Sequence, residues 1–354
     1  MRRELSVYLD FLRLFAALAV FLSHLSWLRI SGGFLWQLQP YGHSAVIVFF
    51  VLSGFVIQYT VDKKEKTFFD FSVARFARLY SVVVPALILT LVCDGIGTRH
   101  DPSVYLMERE TNPLLRVVGA FFFLGQSWWW NLSMLSNDPF WSLPYEFWYY
   151  QIFGIAIFLK GTSRIIFVFL AACIAGPTIL LLFPIWLFGV AAYRLTKMII
   201  LSKLAAAGLF ILTSALILFL LLLDANGTIE RSSSPYFPPG FSFVDFLMGL
   251  LLAINLLSVS FLKLPILWAE KTIVLLAGFT FALYLFHLPL LHLGAAFIPK
   301  MWPVAIRGIC LAIFTLIVVV VIGYFTERKK KTAREIIIRL FSFLDFPPKR
   351  VNTK

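Results

Sequence analysis

Eleven apolar runs follow one another from Tyr8 to Phe325, with no long polar insertion between them. They fall near residues 8–28, 44–60, 72–93, 114–130, 142–159, 164–182, 184–197, 200–223, 241–262, 272–294 and 303–325. A helix needs about 20 residues to cross the hydrocarbon core of a bilayer, and these runs are of that order. Only 14% of the residues are charged and 60% are hydrophobic, whereas a soluble domain is about 25% charged. The predicted fold class is therefore all-α: a polytopic membrane helical bundle filling residues 1–326, followed by a cytoplasmic tail, 327–354.

Charge decides the topology. Eleven crossings from a cytoplasmic N-terminus would leave "ERKKKTAR", residues 327–334, outside, against the positive-inside rule. If residues 114–130 are re-entrant, the loops "DKKEK", "KGTSR", "YRLTK" and "KLPILWAEK" all become cytoplasmic, with the C-terminal cluster. The prediction is about ten transmembrane helices plus one re-entrant segment, with both termini in the cytoplasm. "GQSWWWNLSMLSNDPFWSLP" reads as an interface-level loop, and "AREIIIRLFSFLDF" as a helix on the inner surface. The net charge of +13 is thereby assigned to topology and not to nucleic acid. Arg2 and Arg3 precede the first run as in a signal peptide, but Asp10, Arg13 and His24 interrupt it and no small-residue cleavage site follows; it is expected to remain as the first span. Cys93, Cys173 and Cys310 have no paired spacing, so neither disulfides nor a metal site is indicated.

Ionisable side chains at membrane depth cost several kcal/mol and are kept where they have a partner, a wet cavity or a task. Arg13 and His24 are eleven residues apart: three helical turns, roughly 16 Å of rise, on one face. Asp10 is near enough to pair with Arg13, so a structural ion pair and an interfacial histidine are the plain alternatives to function. Arg75 and Arg78 share a face at the start of the third span; they read as snorkelling anchors or as a phosphate clamp of guanidinium forks. Glu146, within "FWSLPYEFWYY", suits orienting His24, binding a sugar hydroxyl or facing water. His287 and His292 are five residues apart, about 140° around a helix, and poor joint metal ligands. Tyr284 and His287 share a face.

Taken together, "YLDFLRLFAALAVFLSHL", "FFVLSGFVI", "RFARLY", "FWSLPYEFWYY", "FALYLFHLPLL" and Glu327 after the last span resemble the membrane acyltransferase-3 family, in order and over residues 8–327. The resemblance implies ten or so transmembrane helices, an acyl-CoA donor, usually acetyl-CoA, taken from the cytoplasm, and a carbohydrate hydroxyl as acceptor. Arg13 and His24 match the family's first-helix pair, Arg75 and Arg78 its third-span arginines, Ser53, Gly54 and Phe55 its second-span signature, and Glu146 its acidic position after Trp-Ser-Leu. Two positions depart: an acid frequent in the family is Ile47 here, and the second of two paired glutamates is Phe147. An appended esterase-like domain is also not expected after the last span.

The expectation is O-acylation of a cell-surface or exported glycan at the bacterial cytoplasmic (inner) membrane. His24, Arg13 and Glu146 are the candidate catalytic residues. Arg75, Arg78 and Arg13 are the candidate donor-binding residues, and Tyr284, His287 and Ser53 line the substrate side. His24 would act as general base or be transiently acylated. No cofactor is expected to be held permanently; acyl-CoA, the glycan and membrane lipid are the partners, and oligomeric state is unread. A glycan or lipid-linked sugar transporter also places such residues along a pathway. An arginine pair at the cytoplasmic mouth favours the enzyme, because an anionic donor needs it and a neutral sugar does not.

Overall fold

The computed structural model describes residues 1–108, 112–234, 236–328, 335–336 and 338–339. These form thirteen α-helices and no strand: α1 (Arg3–Leu25), α2 (Leu28–Ser31), α3 (Tyr41–Lys63), α4 (Phe68–His100), α5 (Pro113–Phe121), α6 (Ser142–Phe158), α7 (Gly161–Leu181), α8 (Phe183–Met198), α9 (Lys203–Ala225), α10 (Val244–Val259), α11 (Glu270–Ala277), α12 (Thr280–Phe297) and α13 (Val304–Arg328). The chain is a polytopic membrane bundle. Seven helices, α1, α3, α4, α7, α9, α12 and α13, are long and apolar enough to span a membrane. Helices α6, α8 and α10, of 17, 16 and 16 residues, rise about 24–26 Å and run between the same two ends. The side chain of Glu327 and most of the expected surface helix lie outside the described residues.

Polar ties identify the two ends. At the end where α1 begins, termed the lower end, Arg3 pairs with Glu270 (2.5 Å) and Lys197 and Tyr193 meet Asp62. At the upper end His43 bonds Asp245 (2.9 Å), Arg231 bonds Asp224, and Lys300 pairs with Asp101 (2.6 Å).

Helix α5 has nine residues, about 14 Å of rise, and cannot cross a core of about 30 Å. Its return loop is held by the break in α7. There Gly176 (φ 80°) precedes Pro177, and the ladder is interrupted because proline has no N–H and crowds the preceding turn. Trp128 fills the gap: its N–H donates to Ala175 O (3.3 Å) and its Nε1–H to Cys173 O (2.8 Å). Trp128, the first of the tryptophan run, thus satisfies carbonyls that lipid would leave bare.

Two helices organise the interior. Helix α12 is buried along most of its length among α1, α4 and α13, and α3 packs on α1, α8 and α10. The α3–α8 crossing is close because Gly54 faces the Trp186 carbonyl while Gly189 faces that of Val51; a Cβ on either would collide with backbone. Small residues at such crossings let helices approach where no hydrophobic effect drives them together. The predicted run 272–294 is not one helix: α11 ends at Ala277, and α12 restarts at Thr280 after Gly278 and Phe279.

Candidate active site

The site is built between α1, α3, α4, α6 and the α11–α12 joint. Asp10 and Arg13 share a face of α1, and Arg13 Nη1 donates to Asp10 Oδ1 at 2.9 Å. They line a lower mouth of about 340 Å³ with Arg78, Gly278, Thr280 and Phe281. A narrower cavity of about 70 Å³ shares Arg13, Arg78, Thr280 and Phe281 and continues upward past Ser53 and Glu146 to Ser142 and Tyr284. Phe49 and Phe50 form part of its apolar wall.

Arg78 is placed on that wall by the start of α4. Thr67 caps the helix, accepting from Asp70 N (3.1 Å) and donating to Asp70 Oδ2 (2.7 Å), a reciprocal arrangement like the capping box. Arg75, one turn earlier, goes elsewhere. Its side chain is buried against Thr60 Oγ1 (2.8 Å) and Glu65, with the guanidinium over the Phe71 ring at 4.9 Å. The two arginines therefore do not form one clamp; Arg78 and Arg13 are the pair brought together.

Glu146 is fixed from two helices. Ser53 Oγ on α3 donates to its Oε1 at 3.0 Å, and Tyr150, one turn along α6, donates to the same oxygen. Trp186 Nε1 in turn donates to Ser53 (3.2 Å), so the serine of the Ser-Gly-Phe signature joins α3, α6 and α8. Glu146 is in the cavity with the arginines and is not brought to His24.

His24 is met instead by His287. His287 Nδ1 lies 2.8 Å from Leu283 O, which can only accept, so Nδ1 carries the proton and Nε2 keeps a lone pair. His24 Nδ1 faces two acceptors, Val20 O (2.9 Å) and His287 Nε2 (3.0 Å), and so is protonated as well. In this neutral tautomer the lone pair of His24 is on Nε2. Trp27 packs edge-on against the ring at 4.7 Å. Tyr284, one turn below His287 on α12, bonds Ser142 Oγ (2.7 Å) at the top of the cavity. His292 is wholly buried and lies against Tyr105; it makes no hydrogen bond to either histidine of this pair.

Residues that sequence reasoning did not select are Ser142, Tyr150, Trp186, Thr60 and Glu65. Tyr150 and Ser142 stand four residues either side of Glu146, a helical-face signal that was available. The departing positions have structural occupations: Ile47 is fully buried, and Phe147 stacks on Phe123 of the re-entrant loop (4.5 Å, 11°).

A profile of the acyltransferase domain of the acyltransferase-3 family matches residues 6–324. The chain belongs to this family. It is 28% identical over 198 residues to an O-acetyl transferase of Shigella phage Sf6, covering 51% of this chain and 57% of that protein. It is 32% identical over 152 residues to the acyltransferase MdmB of Streptomyces mycarofaciens, covering 41% of this chain and 37% of that protein. The chain thus spans roughly half or less of the curated relatives it matches. No solved structure matches.

Proposed function

We propose that this acyltransferase-3 protein moves an acyl group, acetyl in the first instance, from acyl-CoA to a hydroxyl of a cell-surface or exported glycan. One observation carries the reading: a cavity that begins at two arginines and ends at Tyr284, one turn from the histidine in contact with His24. Arg13 and Arg78 offer guanidinium forks to the donor's phosphates. The pantetheine arm suits the offset of roughly 16 Å between Arg13 and His24. Arg75 enters this scheme as a positioning residue, reaching Tyr150 across its ring face (5.8 Å). Glu146, held by Ser53 and Tyr150, supplies the negative charge that keeps the two guanidiniums together in the cavity.

His24 Nε2 accepts the proton of the acceptor hydroxyl as that oxygen attacks the thioester carbonyl. His287 Nε2 accepts from His24 Nδ1 and stabilises the imidazolium so formed. Collapse of the tetrahedral intermediate breaks the C–S bond, and the departing CoA thiolate takes the proton back as a thiol. A relay through an acyl-His24 gives the same products.

The lower end carries Lys63, Lys64, Lys160, Lys197, Lys203 and Lys263 in or beside its loops, which supports a cytoplasmic lower end in a bacterial inner membrane. The donor then enters from the cytoplasm and the glycan from outside. Purified protein in lipid nanodiscs, given acetyl-CoA with labelled acetyl and a glycan extract, should release CoA and label the glycan. His24→Ala should do neither while remaining folded. Movement of unmodified glycan without CoA release would support the transporter reading instead.

A further inference from the structure

The cavity ends at a pair of hydroxyls. Tyr284 and Ser142 come from α12 and α6, are both buried, and approach to 2.7 Å at the upper wall. Among the described residues the only other acceptor for Ser142 is Pro139 O at 3.4 Å, long for an O–H···O bond. The Ser142 proton is therefore better placed on the Tyr284 oxygen. A phenol that accepts this bond keeps its own proton free, and polarisation along the chain makes it a stronger donor. The other neutral hydroxyls on the cavity are engaged: Ser53 donates to Glu146, and Thr280 donates to Ala277 O at 2.8 Å. Arg13 and Arg78 stand at the opposite, lower end.

Position matters as much as availability. Tyr284 and His287 share a face of α12 one turn apart, so their Cβ atoms are about 5–6 Å from each other. His287 touches His24. The phenol is thus the hydroxyl at the cavity's end that stands next, one turn along α12, to the His287–His24 pair.

We propose that Tyr284 is a catalytic residue, the donor that holds the carbonyl oxygen as it becomes an oxyanion, with Ser142 as its positioning residue. The proposal rests on the acyl-transfer reading above. When the acceptor oxygen adds to the carbonyl carbon, the C=O π electrons move onto oxygen and the Tyr284 O–H donates to that charge. When the C–S bond breaks they return, and the phenol keeps its proton throughout. Donors aimed at developing charge in a water-poor site are worth more than in water, because they need no reorganisation.

Tyr284→Phe retains the ring that packs edge-on against Phe49 at 5.5 Å and removes only the donor. With purified protein in nanodiscs, kcat for labelled acetyl transfer is expected to fall by about 10²- to 10³-fold with the KM for acetyl-CoA unchanged. Ser142→Ala is expected to lose about 3- to 10-fold in kcat, the effect of one neutral hydrogen bond. The double variant should be no slower than Tyr284→Phe alone, since Ser142 acts through the phenol. Wild-type kcat in Tyr284→Phe, or losses that multiply in the double variant, would overturn the proposal. Should Tyr284→Phe not fold, Ser142→Ala decides: an unchanged kcat refutes the pairing, and a lower kcat at constant KM supports it. If His24→Ala is inactive while Tyr284→Phe is fully active, only this proposal fails; if His24→Ala is also active, the acyl-transfer reading itself fails.

Discussion

Replacing His287 by phenylalanine separates the two histidines most cleanly. The ring keeps its place edge-on to Phe21, 6.0 Å away, and His24 Nδ1 keeps its bond to Val20 O, so the resting tautomer survives. What disappears is the Nε2 lone pair that would face His24 once it carries a proton. A hydrogen bond to a charged group contributes about 1.5–3 kcal/mol, so kcat should drop by about 10- to 100-fold. The lost bond to Leu283 O is neutral and costs about 1 kcal/mol of stability, small enough to leave the protein folded. Arg13 and Arg78 are untouched, so the KM for acetyl-CoA should stay constant. The assay is single-turnover acetyl transfer in nanodiscs, with thermal unfolding measured on the same sample. His100→Phe, at the upper end of α4 and stacked on Phe297, is the control and should leave kcat unchanged. If His287→Phe retained wild-type kcat, or changed KM alone, His287 would have no part in stabilising the imidazolium.

Arg78→Gln should raise the KM for acetyl-CoA by about 10- to 100-fold through loss of a charged hydrogen bond, and should matter little for a pantetheine thioester lacking the nucleotide phosphates; equal effects on both donors would argue against phosphate binding. Glu65→Gln removes one partner of the buried Arg75 pair, at a cost of about 3–5 kcal/mol, so the expected readout is a lower unfolding temperature and less monodisperse protein on extraction. Gly54→Ala puts a methyl group into the Trp186 carbonyl and should destabilise by about 1–3 kcal/mol, with loss of folded protein at 37 °C rather than a selective change in KM. Asp101, held by the Lys300 ammonium and Ser103, has its pKa lowered to about 2. Its folded pKa lies below the unfolded value of about 3.9, so the tie to the α12–α13 turn is complete above about pH 4 and is lost as pH falls towards 2; hydrogen exchange at residues 101–104 should quicken over that window and not above it.

The parts of the site that lie on one helix were legible from spacing alone. Asp10, Arg13 and His24 on α1, and Tyr284 and His287 on α12, follow from 3.6 residues per turn. The failure of the fourth apolar run to cross followed from charge bookkeeping across the loops, and α5 is indeed too short. What spacing does not supply is the rotation of one helix against another. Arg75 and Arg78 look equivalent in "RFARLY", yet Glu65, in the turn before α4, captures one and leaves the other to the cavity. Glu146 was equally open between partners until the α3–α6 packing set it against Ser53. The break at Gly278 and Phe279 was hidden inside a run whose hydropathy continues unchanged through it.

The glycine contact between α3 and α8 also bears on which wall of the cavity can yield. With two main chains already touching there, α3, which carries Phe49, Phe50 and Ser53 into the cavity, has no slack to retreat towards α8. The facing wall is built differently: there α11 gives way to α12 across Gly278 and Phe279, so Thr280 and Phe281 reach the cavity from a seam between two helices and not from a continuous rod.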